Sequence, residues 1–104
     1  METLNFRFEH GTSRLTRPTG LVGVVSSGNL EILIEQHALG GACEIEIHTA
    51  ARGFEAIWRA VLEDFHVRWN LSDVHIAIND MGATPAVVSL RLDQAVESMT
   101  TATP

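Results

Sequence analysis

Ser26-Ser27-Gly28-Asn29 places two hydroxyls in a turn between the β-forming runs Gly20–Val25 and Leu30–Glu35. Gly and Asn tolerate positive φ, so a tight hairpin is the natural connection and its tip would hold the serines in solvent. An exposed serine at such a tip could act as a nucleophile only with a base and an oxyanion hole beside it. The chain has no Gly-x-Ser-x-Gly elbow, and a hairpin tip does little to exclude water, so a serine hydrolase using His48 or His75 is a weak reading. The five histidines, His10, His37, His48, His66 and His75, lack the spacing of a zinc or haem site, and no metal site is expected. Cys43, the one cysteine, rules out an internal disulfide and reads as a small buried hydrophobe within a strand.

The elements that position this turn follow from hydropathy period. Leu4–Phe8, Leu30–Glu35, Cys43–His48 and Val74–Asn79 alternate apolar and polar residues as half-buried strands do. Gly20–Val25 is a further strand, weakened at Gly23. Short loops predict a meander of the runs starting at Gly20, Leu30 and Cys43, with Leu39-Gly40-Gly41-Ala42 as a turn. Gly11 to Gly20 is polar and predicts a mobile loop.

Phe54, Ile57, Trp58, Val61, Leu62, Phe65 and Trp69 recur at helical spacing and predict one amphipathic helix, with Thr49 as its candidate N-cap and core packing as the role of its stripe. Thr84-Pro85 has the form of an N-cap followed by Pro at N1, which favours a second helix through Val88, Leu92, Ala95, Val96 and Met99. Val88–Leu92 also alternates like a strand, so Thr-Pro is what decides for helix. The expectation is an α+β fold: a single domain over residues 1–99, a mostly antiparallel sheet of about five strands with two helices packed on one face, and a frayed tail at 100–104.

A chain of 104 residues fits one core, and 45% hydrophobic against 19% charged residues is enough to bury it without staples. The net charge of −6 argues against a nucleic-acid backbone as partner and suits partners with basic surfaces, for which Glu31, Glu35, Glu44 and Glu46 offer an acidic sheet face. No apolar run approaches the ~18 residues of a membrane span, and Met1–Asn5 lacks a signal-peptide layout; a cytoplasmic protein with no direct membrane insertion is expected.

Two blocks together resemble a known family. Ser27-Gly28-Asn29 closing a strand of valines and followed by Leu30-Glu31, and Asp80-x-Gly82-Ala83-Thr84-Pro85 with the downstream Leu90-Arg91-Leu92, are similar to the acyl-carrier (δ) subunits of malonate decarboxylase. The carrier (γ) subunit of citrate lyase has a Ser-Gly-Asp version of the first block and is the close alternative; Asn29 stands here in place of that acid. From a different class, a small ligand-binding or regulatory α+β module is the other reading. The resemblance implies a non-catalytic subunit carrying 2′-(5″-phosphoribosyl)-3′-dephospho-CoA, covalently bound through a phosphodiester to the Ser27 hydroxyl, with acetyl and malonyl held in turn as thioesters. It implies as partners the acyl transferase and decarboxylase subunits of the complex and the prosthetic-group transferase. Strand phase and resemblance together favour Ser27 over Ser26, with Gly28 and Asn29 shaping the turn. The backbone of Gly82, Ala83 and Thr84, at a helix start, is expected to steady the arm's phosphates if that start lies beside the turn.

Overall fold

The computed structural model describes residues 1–14, 19–20 and 29–100, with side chains described for 1–14 and 29–98. The run Leu21–Val25, Ser26, Ser27, Gly28 and the expected tail from 101 lie outside the described residues. In chain order the elements are β1 (Glu2–Phe8), β2 (Thr19–Gly20), β3 (Leu30–Gln36), β4 (Cys43–Thr49), α1 (Glu55–Trp69), β5 (Val74–Asp80) and α2 (Pro85–Thr100). They form one α+β domain whose sheet runs β1-β4-β5-β3-β2.

The sheet is mixed: three of its four pairings are antiparallel, in keeping with a mostly antiparallel expectation, and one is parallel. Four strands are full length, and β2 contributes two residues, Thr19 and Gly20, opposite Glu35 and Ile34 of β3. β1 with β4 and β3 with β5 are antiparallel, whereas β4 and β5 run parallel. A parallel pair needs a long crossover, and the 15-residue α1 supplies it.

The expected meander fails at the same place: β3 and β4 do not pair, because β5 lies between them. The six residues His37–Ala42 therefore form an arch over the start of β5. Stepping across one strand spans roughly 10 Å at ~4.8 Å per strand spacing, well within the reach of six residues. Asp73 holds the arch: its Oδ1 accepts from the Leu39 and Gly41 amides, both at 2.9 Å, and its carbonyl accepts from the His37 amide at 2.9 Å. The Gly41 and Leu39 amides hold the Asp73 carboxyl below its ordinary range.

The described part of the expected mobile loop is bonded. Gly11 donates to Gly41 O at 2.8 Å, Thr12 and Ser13 donate to Asn70 O, and Ser13 bridges to Leu71. Glycine is what permits this approach, since a Cβ on Gly11 would lie 2.0 Å from Leu71 O.

Strand alternation reads correctly. Leu30, Ile32 and Ile34 join Leu4, Phe6, Cys43, Ile45, Ile47, Val74, Ile76 and Ile78 in one core with residues of both helices, so the helices share one face of the sheet. On α1 the buried residues are Trp58, Leu62 and Phe65, while Phe54 and Ile57 from the expected stripe are 45% and 42% exposed. Trp69 Nε1 and Arg68 Nη2 both donate to Asp93 Oδ1 at 2.8 Å, tying α1 to α2. α1 ends at Asn70, which takes the left-handed conformation open to Asn. Its N-cap is Phe54 without a side-chain bond; Thr49, the expected cap, is the buried last residue of β4. Residues 86–92 are helical, as Thr-Pro indicates: Val87 N–H reaches Thr84 Oγ1 at 3.3 Å. Among the described residues no helix is long and apolar enough to cross a membrane.

Candidate functional site: the strand-end turn and its brace

Four strand ends converge on one edge of the fold. The register sets Glu2 against Thr49, Thr49 against Asp80 and Asp80 against Leu30. Beyond that line, Met81 N–H donates to Asn29 O at 2.9 Å, and Ala50 N–H donates to Asp80 O at 2.9 Å. Asn29 is the one residue of the Ser27-Gly28-Asn29 block that the structure describes. The two blocks, about fifty residues apart in sequence, therefore meet through Asn29 and Met81.

Asp80 organises this edge. It is 3% exposed; its Oδ2 accepts from Thr49 Oγ1 at 2.8 Å, and its Oδ1 accepts from the amides of Gly82 at 3.1 Å and Ala83 at 2.8 Å. The short side chain of Asp bonding amides two and three residues on is the local turn for which Asp is favoured, and Gly82, at φ 118°, supplies the conformation the turn needs. Thr49 Oγ1 also accepts from Ala51 N–H at 3.1 Å, so one chain of bonds links the exit of β4, the end of β5 and the start of α2.

These bonds alter the expected roles of the second block. The amides of Gly82 and Ala83 are engaged by a carboxylate within the chain and are not open to a phosphate. Thr84 spends a lone pair on Val87 N–H and keeps its own O–H to donate. The importance of Thr49 and Asp80 escaped sequence reasoning, although an Asp followed by Gly-Ala before a Thr-Pro helix start is the pattern of an Asx turn.

Beside the brace lies an apolar cleft of about 240 Å³ between the starts of α1 and α2, walled by Ala51, Phe54, Ile57, Ala83 and Pro85 with Trp58 and Val61 deeper in α1. The exposed Phe54 and Ile57 thus border a cavity.

The other candidates do not join this edge. His48 and His75 flank one carboxylate on the open sheet face: His48 Nε2 lies 2.6 Å from Glu46 Oε2, and His75 Nε2 lies 3.9 Å from Glu46 Oε1. Among the described residues no group of three or more His, Cys, Asp or Glu is placed to hold a metal ion. The Cys43 thiol is buried, and burial with the adjacent Glu44 charge pushes it up to about 12.

Fold and site define a small α+β module in which a buried carboxylate braces a helix start against the end of β4, beside Asn29 at the head of β3. A family model described as "Malonate decarboxylase delta subunit (MdcD)" matches residues 17–99. The malonate decarboxylase acyl carrier protein of Xanthomonas campestris pv. campestris (strain B100) is 62% identical over 98 residues, covering 93% of each chain. That of Burkholderia cepacia is 57% identical over 100 residues, covering 91% of this chain and 87% of its own. A solved chain from a Pseudomonas malonate decarboxylase hetero-tetramer in complex with malonate superposes with a TM-score of 0.79 at 38% identity, covering 95% of this chain and 99% of its own. The chain belongs to the malonate decarboxylase delta subunit family, whose relatives named here are acyl carriers, subunits that carry rather than catalyse.

Proposed function

We propose that this chain is the acyl carrier subunit of a malonate decarboxylase, loaded on the Ser27 hydroxyl. The observation that carries the reading is the bond from Met81 N–H to Asn29 O, which joins the Ser-Gly-Asn block to the Asp-x-Gly-Ala block at one edge of the sheet. When attached, 2′-(5″-phosphoribosyl)-3′-dephospho-CoA supplies a thiol that holds acetyl or malonyl as a thioester. Within this reading Ser27 Oγ is the point of attachment, Gly28 and Asn29 shape the turn, and Asn29 is fixed by its backbone bond. The Thr84 hydroxyl is the helix-start group left to donate to the arm's phosphates, a role that Gly82 and Ala83 give up to Asp80. The apolar walls beside the turn suit the arm's uncharged end.

Tethering explains why such a subunit needs no acid, base or metal of its own. An acyl group on a flexible arm stays at about millimolar effective concentration near each partner site in turn. The partners are an acyl transferase subunit, a decarboxylase subunit and, before them, the prosthetic-group transferase, in a cytoplasmic complex. The acidic sheet face of Glu31, Glu35, Glu44 and Glu46 favours basic docking surfaces over nucleic acid. Because the family found is that of malonate decarboxylase, the citrate lyase reading gives way to it.

Intact mass spectrometry after coexpression with the prosthetic-group transferase tests the proposal. The expected result is one adduct of the arm's mass on the wild-type chain and none on Ser27→Ala. An unmodified wild-type chain, or an adduct that persists in Ser27→Ala, overturns it.

A further inference from the structure

We propose that the cleft between the starts of α1 and α2 shelters the arm's uncharged acetyl end and leaves its charged malonyl end in solvent, so that the carrier itself sorts the two acyl states. The inference rests on the carrier reading above.

Position supports it first. Asp80, Gly82 and Ala83 line the cleft, and Met81, inside the same turn, bonds Asn29, two residues from the attachment serine. Two residues of chain reach at most about 7 Å, so an arm anchored at Ser27 starts within that distance of Asn29, and occupancy is an intramolecular event.

Size narrows the occupant. At about 240 Å³ the cleft is smaller than the roughly 300–1,000 Å³ of pockets that enclose drug-sized ligands. It admits a short acyl thioester and not the nucleotide portion of the arm.

Charge then separates the two ends. Among the described lining residues none is cationic, and Asp80, the one ionisable group among them, already has both oxygens bonded to Thr49, Gly82 and Ala83. A methyl group entering the cleft meets Phe54, Ile57 and Trp58. A carboxylate entering it would shed water, find no counter-charge and face Asp80. Phe54 and Ile57, 45% and 42% exposed, offer apolar surface that such an occupant would cover. The consequence is directional: the acetyl form rests protected from water, and the malonyl form is presented to the decarboxylating partner.

The test compares amide and indole NMR spectra of the full-length chain in its acetyl-loaded and malonyl-loaded forms, after intact mass has confirmed the adduct on Ser27. The acetyl form is expected to shift Ala51, Ile57, Trp58 and Ala83 relative to the malonyl form. A cleft occupied roughly nine-tenths of the time slows hydrolysis of the acetyl thioester about tenfold. Ile57→Glu, at the half-exposed rim, is expected to abolish both effects. The spectra of the unsubstituted chain decide the question even if that variant folds poorly. Equal spectra for the two loaded forms overturn the sorting while leaving the carrier intact. Absence of the Ser27 adduct overturns the carrier reading and the sorting with it.

Discussion

Removing the Asp80 carboxylate should unhinge the edge of the sheet on which the candidate site stands. In Asp80→Ala, three donors lose their acceptor together: Thr49 Oγ1, the Gly82 amide and the Ala83 amide. Hydrogen bonds to a charged group contribute about 1.5–3 kcal/mol each, and members of one network are not additive, so we take roughly 4 kcal/mol for the set. That is a large share of the ~5–15 kcal/mol that holds a domain of this size together. At about 4–8 °C per kcal/mol it corresponds to a fall of roughly 15–30 °C in Tm. Asp80→Asn keeps one oxygen able to serve the two amides, and its NH₂ can donate to Thr49 Oγ1 if that hydroxyl turns elsewhere, so about 1–2 kcal/mol is expected. Thermal and urea unfolding followed by circular dichroism give both numbers, and hydrogen exchange at Gly82 and Ala83 reports whether the loss is local. A Tm for Asp80→Ala within about 2 °C of wild type, or equal losses for Ala and Asn, would refute the argument that an acceptor at this position holds the turn.

Three further outcomes follow from other parts of the fold. Because bonding to Gly41 and Leu39 depresses the Asp73 carboxyl in the folded chain, its contribution to stability is fully present above the unfolded value of about 3.9 and fades as pH falls through the folded value. The stability gap between wild type and Asp73→Asn should therefore close on acidification, and a gap independent of pH between 6 and the acid limit of folding (about pH 2) would contradict it. Gly11→Ala would press a Cβ into the Leu71 backbone, with distances of 2.0 Å to the oxygen and 2.5 Å to the carbon, and should cost about 1–3 kcal/mol by urea denaturation; an unchanged midpoint argues against the close approach. Cys43, with its thiol pushed up to about 12 in a buried site, should not react with a disulfide reagent at pH 7.5 in the native apo chain and should give one equivalent after denaturation. Rapid native labelling would place it elsewhere.

Alternation shows which side chains of a strand face the core, and here it does so for β1, β3, β4 and β5. It carries no information about which strand lies beside which, because every alternating strand offers the same ladder of backbone groups. The insertion of β5 between β3 and β4 depends instead on Asp73 and the arch at Leu39–Gly41, a contact across more than thirty residues that no local pattern reveals. Thr49 is misread for a related reason. A threonine ahead of a helical stripe looks like a cap, yet its hydroxyl serves Asp80, whose position follows only from the β4–β5 register. The candidate site is more legible, since its two blocks are each recognisable in sequence and the fold joins them through Asn29 and Met81. The cleft was hidden inside a correct prediction: spacing placed Phe54 and Ile57 on the α1 stripe with Trp58 and Phe65, and periodicity gives their angle around the helix but not the height at which the sheet ends. Both lie in the first turn of α1 or just before it, beside the strand ends at Thr49 and Asp80, where the sheet no longer covers them. Their exposure follows from ordinary helix geometry over a finite sheet. That it occurs at the edge where Met81 bonds Asn29, two residues from the serine proposed to carry the arm, is what makes an uncharged acyl end the occupant to test.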